Sequence, residues 1–453
     1  MTVSPSARPG RRYPCGPTTS HSWPVPSLLI GLLLGAPALA QDEPTAQEDP
    51  PAWTEKEIPR DLVKIYGFVD GYVEKVADTP ALNANGDTIY EHNPHEFDVL
   101  NLHLMTQGVL FGRYKFYVNM AAPGSGSPAE DAPVQLRNAW VEAPLSGEFV
   151  VIRLGKTYRR FGLYNEILDA VPTFIGIEPP ELFDKDHLLV TRTTNAMLHG
   201  RIPLGVGNFD YALMTGNDER AGAGFPIGLD ARYDSGGGLV FGTSYYTTGG
   251  GAQPSVAVGE GPPAGGVLPW IVEDDYVIFG GFAELRSGGL ILQTELWRAQ
   301  HSVERDPEQV LQLLDADLIP AQLERFGLDV EEPTADDVVR QAQYSIDTAY
   351  VRAGYSLLAP VLDQTWEFVP YAQFDYYRNP ETIASKSFGG DNESGLSDNG
   401  IFYKTTLGLV VRPTPAVALK ADGSAHIQEF NGQTVFYPEA RLSFSLFWDL
   451  WSR

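Results

Sequence analysis

The stretch Glu439-Ala440-Arg441-Leu442-Ser443-Phe444-Ser445-Leu446 switches between polar and apolar at every residue. Successive side chains of a strand point to opposite faces. Ala440, Leu442, Phe444 and Leu446 therefore form one apolar face, and Glu439, Arg441, Ser443 and Ser445 a polar one. The same division recurs at Leu229, Ala231 and Tyr233 against Asp230, Arg232 and Asp234. It appears again at Leu407, Leu409 and Val411 against Lys404, Thr406 and Gly408.

Runs of this kind, about ten residues each, repeat from Lys64 to Trp448, as in a transmembrane β-barrel whose apolar face meets lipid and whose polar face meets water. A soluble β-sandwich also alternates. The links separate the two. Tight links at Pro144–Gly147, Pro203–Gly207, Ser235–Gly238, Arg286–Gly289, Leu358–Asp363 and Arg412–Pro415 take turns with long ones at Ala77–Pro94, Ala121–Pro133, Lys156–Leu189, Gly216–Pro226, Thr248–Trp270, His301–Arg340 and Asn379–Gly400. A sandwich has no reason to sort its links this way, whereas a barrel puts short periplasmic turns at one end and long external loops at the other. The expected fold is all-β: a transmembrane antiparallel β-barrel of about 16 strands, an even count that returns the C-terminus to the periplasmic side. The strands are expected near 64–76, 95–107, 109–119, 134–143, 148–155, 190–202, 208–215, 228–234, 239–247, 272–284, 290–300, 343–356, 365–378, 401–411, 416–428 and 436–448. Trp366, Phe368, Tyr376, Phe444 and Trp448 fall near strand ends on the apolar parity, where interfacial girdles belong.

The 453 residues carry 58 acids against 32 Lys and Arg, a net charge of −26, which argues against a nucleic-acid partner needing a basic face. No stretch after the leader is apolar for long enough to span as a helix. The N-terminus has Arg8, Arg11 and Arg12, an apolar run from Leu28 to Leu34, and the small-residue site Ala38-Leu39-Ala40. Residues 1–40 are thus expected to be a signal peptide, with Arg11-Arg12 lacking the flanking residues of a twin-arginine signal. The one cysteine, Cys15, lies in that leader, so the mature chain is expected to hold neither a disulfide nor a thiol. Residues 41–61, rich in Pro, Glu, Asp and Gln, read as a flexible periplasmic segment ahead of a barrel over 62–453.

Residues 301–340 break the alternation. Val310, Leu311, Leu313, Leu314 and Leu318 have helical spacing, Asp306-Pro307 reads as an N-cap followed by Pro at the first helical position, and Asp336–Val339 suggests a second short helix. The segment reads as an acidic, solvated external loop.

Enzymatic chemistry finds little purchase. Ser424 and His426 share a strand face, but Gly423-Ser424-Ala425-His426 is no nucleophile elbow, so no catalytic residue and no hydrolase activity is expected. In Glu91-His92-Asn93-Pro94-His95-Glu96 the proline separates the histidines in a loop entering a strand, which gives no metal site. No phosphate-binding or dinucleotide fingerprint implies a cofactor. A barrel serving only as adhesin or structural anchor is the other class to weigh. It would fill its interior with bulky apolar groups or a plug, whereas the inward parity here reads as charges with Gly, Ser and Thr.

Gln135–Val141 (QLRNAWV), Ile152–Tyr164 (IRLGKTYRRFGLY), Tyr350–Tyr355 (YVRAGY), Val369–Tyr376 (VPYAQFDY) and Arg412-Pro413-Thr414-Pro415 with Leu419-Lys420 resemble Gram-negative porins, most closely the phosphate-selective porin O and P type. The C-terminus departs from that pattern, continuing Asp449-Leu450-Trp451-Ser452-Arg453 beyond the last aromatic of the strand. The resemblance implies an outer-membrane channel for passive diffusion of small hydrophilic solutes and ions, with a possible phosphate or anion preference. It also implies a homotrimer among outer-membrane lipid and lipopolysaccharide, and a third external loop folded into the lumen. Residues 156–189 occupy that loop position, with Lys156, Arg159 and Arg160 followed by Glu166, Asp169, Glu178, Glu181, Asp184 and Asp186. Inward parity adds Arg153, Asp230, Arg232, Asp234, Glu295, Arg352, Asp375, Lys404, Lys420, Asp422, Glu439 and Arg441 as pore-lining candidates.

Overall fold

Alternation with a period of two makes each strand satisfy its backbone on two neighbours, and in this chain the pairing runs full circle. The computed structural model describes residues 63–77, 79–82, 88–92, 96–123, 134–167, 172–173, 175–177, 179–180, 192–217, 225–248, 268–315, 318–381, 383, 400–430 and 432–449. The leader, residues 41–61, Asp169, Glu178, Glu181, Asp184, Asp186 and the tail after Asp449 lie outside them.

The wall begins with β1 (Lys64–Val76). After β2 (Thr79–Leu82) and β3 (Thr88–Glu91), a separate hairpin, it continues through β4 (Glu96–Leu110), β5 (Tyr114–Pro123), β6 (Gln135–Ser146), β7 (Val150–Tyr158), β8 (Arg192–Pro203), β9 (Asn208–Gly216), β10 (Ile227–Asp234) and β11 (Leu239–Thr247). It goes on through β12 (Ile271–Ser287), β13 (Leu290–Arg305), β14 (Gln341–Tyr355), β15 (Leu357–Val361), β16 (Gln364–Arg378), β17 (Ile401–Thr414), β18 (Val417–Phe430) and β19 (Gln433–Asp449). Each wall strand pairs antiparallel with its sequence neighbour. β1 closes the circle by pairing with both β4 and β19, from Tyr66 opposite Asp449 to Val76 opposite Glu439. β14 and β15 both pair with β16 and form one strand interrupted at Ser356, so the closed antiparallel barrel has sixteen strands among the described residues.

Burial follows parity. On β19, Ala440, Leu442, Phe444 and Leu446 are exposed on the outer wall, while Glu439, Arg441 and Ser445 are buried on the inner one. Trp366, Phe368 and Tyr376 share the outer face of β16 with Phe374.

Several strands run on into segments read as links, β6 to Ser146, β7 to Tyr158, β13 to Arg305 and β17 to Thr414, and two turns show most clearly why. β4 runs on through Gly108 to Leu110, and the chain reverses at Phe111 and Gly112, both with positive φ (53° and 63°). A bulky residue at the first of two left-handed positions gives no turn signal, since Asn, Asp or Gly is usual there. Leu357–Val361 is strand, and only Leu362 and Asp363 turn, again both with positive φ.

At the external end β12 and β13 outlast their neighbours and carry a small folded cap. Helix Pro307–Gln312 starts on Asp306, whose side chain accepts from the Glu308 amide at 2.9 Å. The second helix is Pro320–Phe326; Asp336–Val339 instead lies in a turn where Asp337 accepts from the Thr334 amide and hydroxyl. Trp270, Val303, Val310, Leu313, Phe326 and Leu328 are buried together here. Beside them the fully buried Arg305 holds Glu381 through two hydrogen bonds of 2.7 and 2.9 Å and donates to the carbonyls of Arg325 and Val339. The segment is acidic on its surface but has a core of its own.

Leu442→Arg should impair folding into lipid vesicles, because a charge at the midplane of a barrel's lipid face costs about 2–4 kcal/mol. Ser443→Arg, one residue away on the inner face, should fold with a much smaller loss. The folded fraction on unheated gels measures both, and equal losses would mean that the register is wrong.

Candidate functional site

Between β7 and β8 the chain leaves the wall and enters the barrel. Its first turn is fixed by packing. Phe161 lies against Trp297 with ring centroids 4.3 Å apart, and Tyr164 meets Tyr350 edge-on at 6.0 Å. Both belong to an interior cluster with Tyr246, Tyr276, Phe282, Tyr377 and Phe402. The inward face of β11–β17 is therefore heavily aromatic, contrary to the reading of charges with small polar residues. Those aromatics stand on strands whose alternation is masked by apolar residues on both faces, so parity alone did not expose them.

Gly162 forms the hinge of this turn, with φ near +60°, and a Cβ there would run into the Glu295 carboxylate and Trp297. Its amide donates to Ser244 Oγ at 3.1 Å, and Ser244 donates to Asp230 Oδ2 at 2.7 Å. Glu295 is fully buried, accepting from Tyr350 Oη at 2.8 Å and Trp297 Nε1 at 3.2 Å. It clamps the loop base and presents no surface to the lumen.

An ionic network covers the other side of the turn. Arg160 Nε lies 3.2 Å from Asp230 Oδ1 and 3.8 Å from Glu166 Oε2, and Arg160 Nη2 lies 3.8 Å from Asp210 Oδ2. Arg232 binds Asp230 at 2.8 Å and reaches Glu166 at 3.6 Å. Arg201 closes on Asp210 from β8 at 2.8 Å. Below them, Arg153 pairs with Glu142 at 2.7 Å and stacks on Trp140 at 4.4 Å, while His199 Nε2 lies 3.1 Å from Glu142. Apart from Arg201, whose side chain is 50% exposed, Glu166 is the most open member, at 31% against 14% for Arg160 and Arg232. Burial by itself raises its pKa, but the field of Arg160, Arg232, Arg153 and His199 outweighs burial and holds the carboxyl below its ordinary value.

The loop then crosses to the opposite wall. Lys420 Nζ donates to the Gly176 carbonyl at 2.9 Å, the Ile177 amide donates to Asp422 Oδ2 at 3.3 Å, and Tyr371 Oη donates to the same oxygen at 2.6 Å. Neighbouring inward charges pair laterally. Arg441 binds Glu74 at 3.0 Å and contacts Glu439, which also holds His426 at 2.9 Å and faces Lys404 at 3.8 Å. Arg352 donates to Gln373, which donates to Asp375, and the guanidinium lies over the Tyr164 ring at 5.1 Å.

The structure thus brings Arg160, Glu166, Asp230, Arg232 and Arg153 together. Glu295, Arg352, Asp375, Lys404, Lys420, Glu439 and Arg441 stand on the inner face but are almost wholly buried by the loop and by one another. Asp234 accepts from the Gly236 amide at 2.8 Å, fastening the turn between β10 and β11. Arg159 is buried over Tyr246 and donates to the Asn217 carbonyl at 2.8 Å. Lys156 departs furthest from expectation, because it belongs to β7, two residues from the outward Leu154, and shares that outer face. Sequence reasoning missed Glu142, His199 and Asp210. Glu142 could have been found from register, since it lies directly opposite Arg153. Among the described residues no cluster of three or more metal-ligating side chains occurs, and no helix is long and apolar enough to cross a membrane.

No family model matches the chain, and neither does any curated protein. Among solved structures it is similar to the anion-selective porin from Comamonas acidovorans, at 14% identity and a TM-score of 0.49 over 85% of this chain and 99% of that one. It is also similar to the outer membrane channel DcaP of Acinetobacter baumannii, at 10% identity and a TM-score of 0.48 over 85% and 96% of the two chains. A third likeness is to a loop L8 deletion mutant of OmpT, an outer membrane protein of Vibrio cholerae, at 10% identity and a TM-score of 0.47 over 85% and 99%. Likenesses this distant carry no argument about solute or assembly.

Gly162→Ala should loosen the loop, since a left-handed backbone costs a non-glycine residue about 1–2 kcal/mol before the collision with Glu295 is counted. Limited proteolysis of the folded barrel should then cut the loop faster than in the parent, while the unheated gel mobility stays the same.

Proposed function

We propose that the chain is an outer-membrane channel for passive diffusion of small hydrophilic solutes and ions, with a modest preference for anions. The observation that carries this reading is the tethered loop: it is held inside the barrel at Phe161 and Tyr164 and again at Gly176 and Ile177, with a partly exposed ionic rim beside it. At that rim Arg153, Arg160 and Arg232 retain exposed surface, while Asp230 is wholly buried and Asp210 and Glu142 nearly so. A passing ion meets guanidinium at three partly exposed positions and carboxylate mainly at one, Glu166. The barrel sits in the outer membrane of a Gram-negative cell, exported by residues 1–40, with 41–61 as a periplasmic segment. It assembles as a homotrimer, a point that rests on family resemblance alone, as does selectivity for phosphate. The aromatic packing under β11–β17 favours a second reading, a barrel closed enough to act only as an anchor.

Conductance in planar bilayers separates these readings, since an anchor would pass no steady current. For the channel, Arg160→Ala with Arg232→Ala should move the reversal potential in a salt gradient toward cations. About a twofold change in permeability ratio is expected for charges acting within a Debye length of about 8 Å. An unchanged reversal potential would place the rim outside the narrow zone.

The contribution of Glu166 to selectivity, read as the difference between the parent and Glu166→Gln, should be steady from about pH 7 to about pH 5. The folded pKa of Glu166 lies below its unfolded value, so its attraction for Arg160 and Arg232 is fully present above the ordinary carboxylate range and fades only as pH falls through the lowered value. A midpoint above the ordinary carboxylate range in the difference between the parent and Glu166→Gln would contradict this.

A further inference from the structure

The outer face of β16 reads, from the periplasmic end upward, Trp366, Phe368, Pro370, Ala372, Phe374, Tyr376, Arg378. The first six span about 25 Å of lipid-facing wall between two aromatic ends, the height of a barrel's apolar band. Arg378 stands one step above the upper aromatic end. It is not alone at that level. Register sets Phe279, Arg298, Asp347 and Arg378 side by side across β12, β13, β14 and β16. Arg298 Nε lies 2.6 Å from Asp347 Oδ1, and Arg378 Nη1 lies 3.4 Å from Asp347 Oδ2. Just below them Tyr376 and Tyr403 pack with ring centroids 5.6 Å apart.

An ion pair alone would need one arginine. Here a single carboxylate stands between two, its side chain 17% exposed while theirs are 52% and 42% exposed. The cluster carries a net positive charge on the outer wall of a chain whose total is −26. Asp347 engages one nitrogen of each guanidinium, so the remaining donors are turned to the surroundings in the fork geometry that suits a phosphate. Aromatic rings at this height mark the boundary between acyl chains and headgroups.

We infer that Arg298 and Arg378 form a docking site for the phosphate of an external-leaflet lipid, with Tyr376 and Tyr403 against the upper part of its acyl chains. Asp347 bridges the two guanidiniums and competes with the phosphate for their donors. The inference rests on the outer-membrane reading above, and it adds a specific lipid contact on the wall that faces away from the lumen.

The test uses the full barrel in neutral detergent with two probes, phosphorylated lipid A and its dephosphorylated form, and counts retained lipid by native mass spectrometry. The phosphorylated form should be retained roughly tenfold better. Arg298→Ala with Arg378→Ala should abolish that preference, and Asp347→Asn should increase it by removing the competing carboxylate. Equal retention of the two lipids, an unchanged preference in the double variant, or weaker phosphate retention in Asp347→Asn would each overturn the site. Folding into neutral phosphatidylcholine vesicles, read by heat modifiability, checks the underlying reading separately. Failure to fold there overturns the membrane barrel and the site together, whereas a barrel that folds without phosphate preference overturns the site alone.

Discussion

In hydrocarbon a strand edge has no water to satisfy its amides and carbonyls, so the pairing of β1 with β19 is the constraint from which the rest of the molecule follows. That seam, running from Tyr66 opposite Asp449 to Val76 opposite Glu439, joins the two ends of the barrel in antiparallel register. Antiparallel closure needs an even number of strands. It also fixes parity, since a slip of one residue at the seam would turn Leu442 inward and Arg441 into lipid.

Once parity is fixed, the interior must accommodate many charges, and the chain does so asymmetrically. Toward β6–β10 they form a rim with some exposure to the lumen; toward β16–β19 they are buried and paired. Burying ions is costly, and a buried pair often stabilises less than apolar residues of the same volume would. Stability is therefore a weak reason for Lys420, Asp422, Glu439 and Arg441 to be where they are. Their geometry gives a better one: Lys420 and Asp422 grip the backbone at Gly176 and Ile177, holding the far end of the loop in one place.

How much of this was legible in the sequence depended on which face carried the signal. Strands such as β19 and β10 could be read because their two faces differ in polarity, and the sixteen-strand closure followed from the sorting of short and long links. The turn at Phe111-Gly112 was missed because its first left-handed residue is a phenylalanine. The sequence puts Lys156 in the loop because a run of basic residues hides where pairing stops, whereas pairing continues to Tyr158. The cap over β12 and β13 read as solvated because its acids dominate the composition, while its core depends on Trp270 and Ile383, far away in sequence. The rim itself was half legible: parity gave Arg153, Asp230 and Arg232, but their acidic partners Glu142 and Asp210 needed cross-strand register.

The loop is held by two kinds of force that respond differently to conditions. The aromatic grip on Phe161 and Tyr164 is nondirectional and indifferent to salt, whereas the ionic grip at Arg160, Arg232 and Glu166 is partly exposed and weakens as salt screens it. Raising ionic strength therefore relaxes the face of the loop turned toward the lumen while its back stays packed. A loop held by charge alone would come free of the wall in salt, and one held by packing alone would present no charge to a solute. With both, the backbone keeps its position and the charged rim adjusts, which in the channel proposed above would let one narrow zone stay the same width while its electrostatic field varies with the medium.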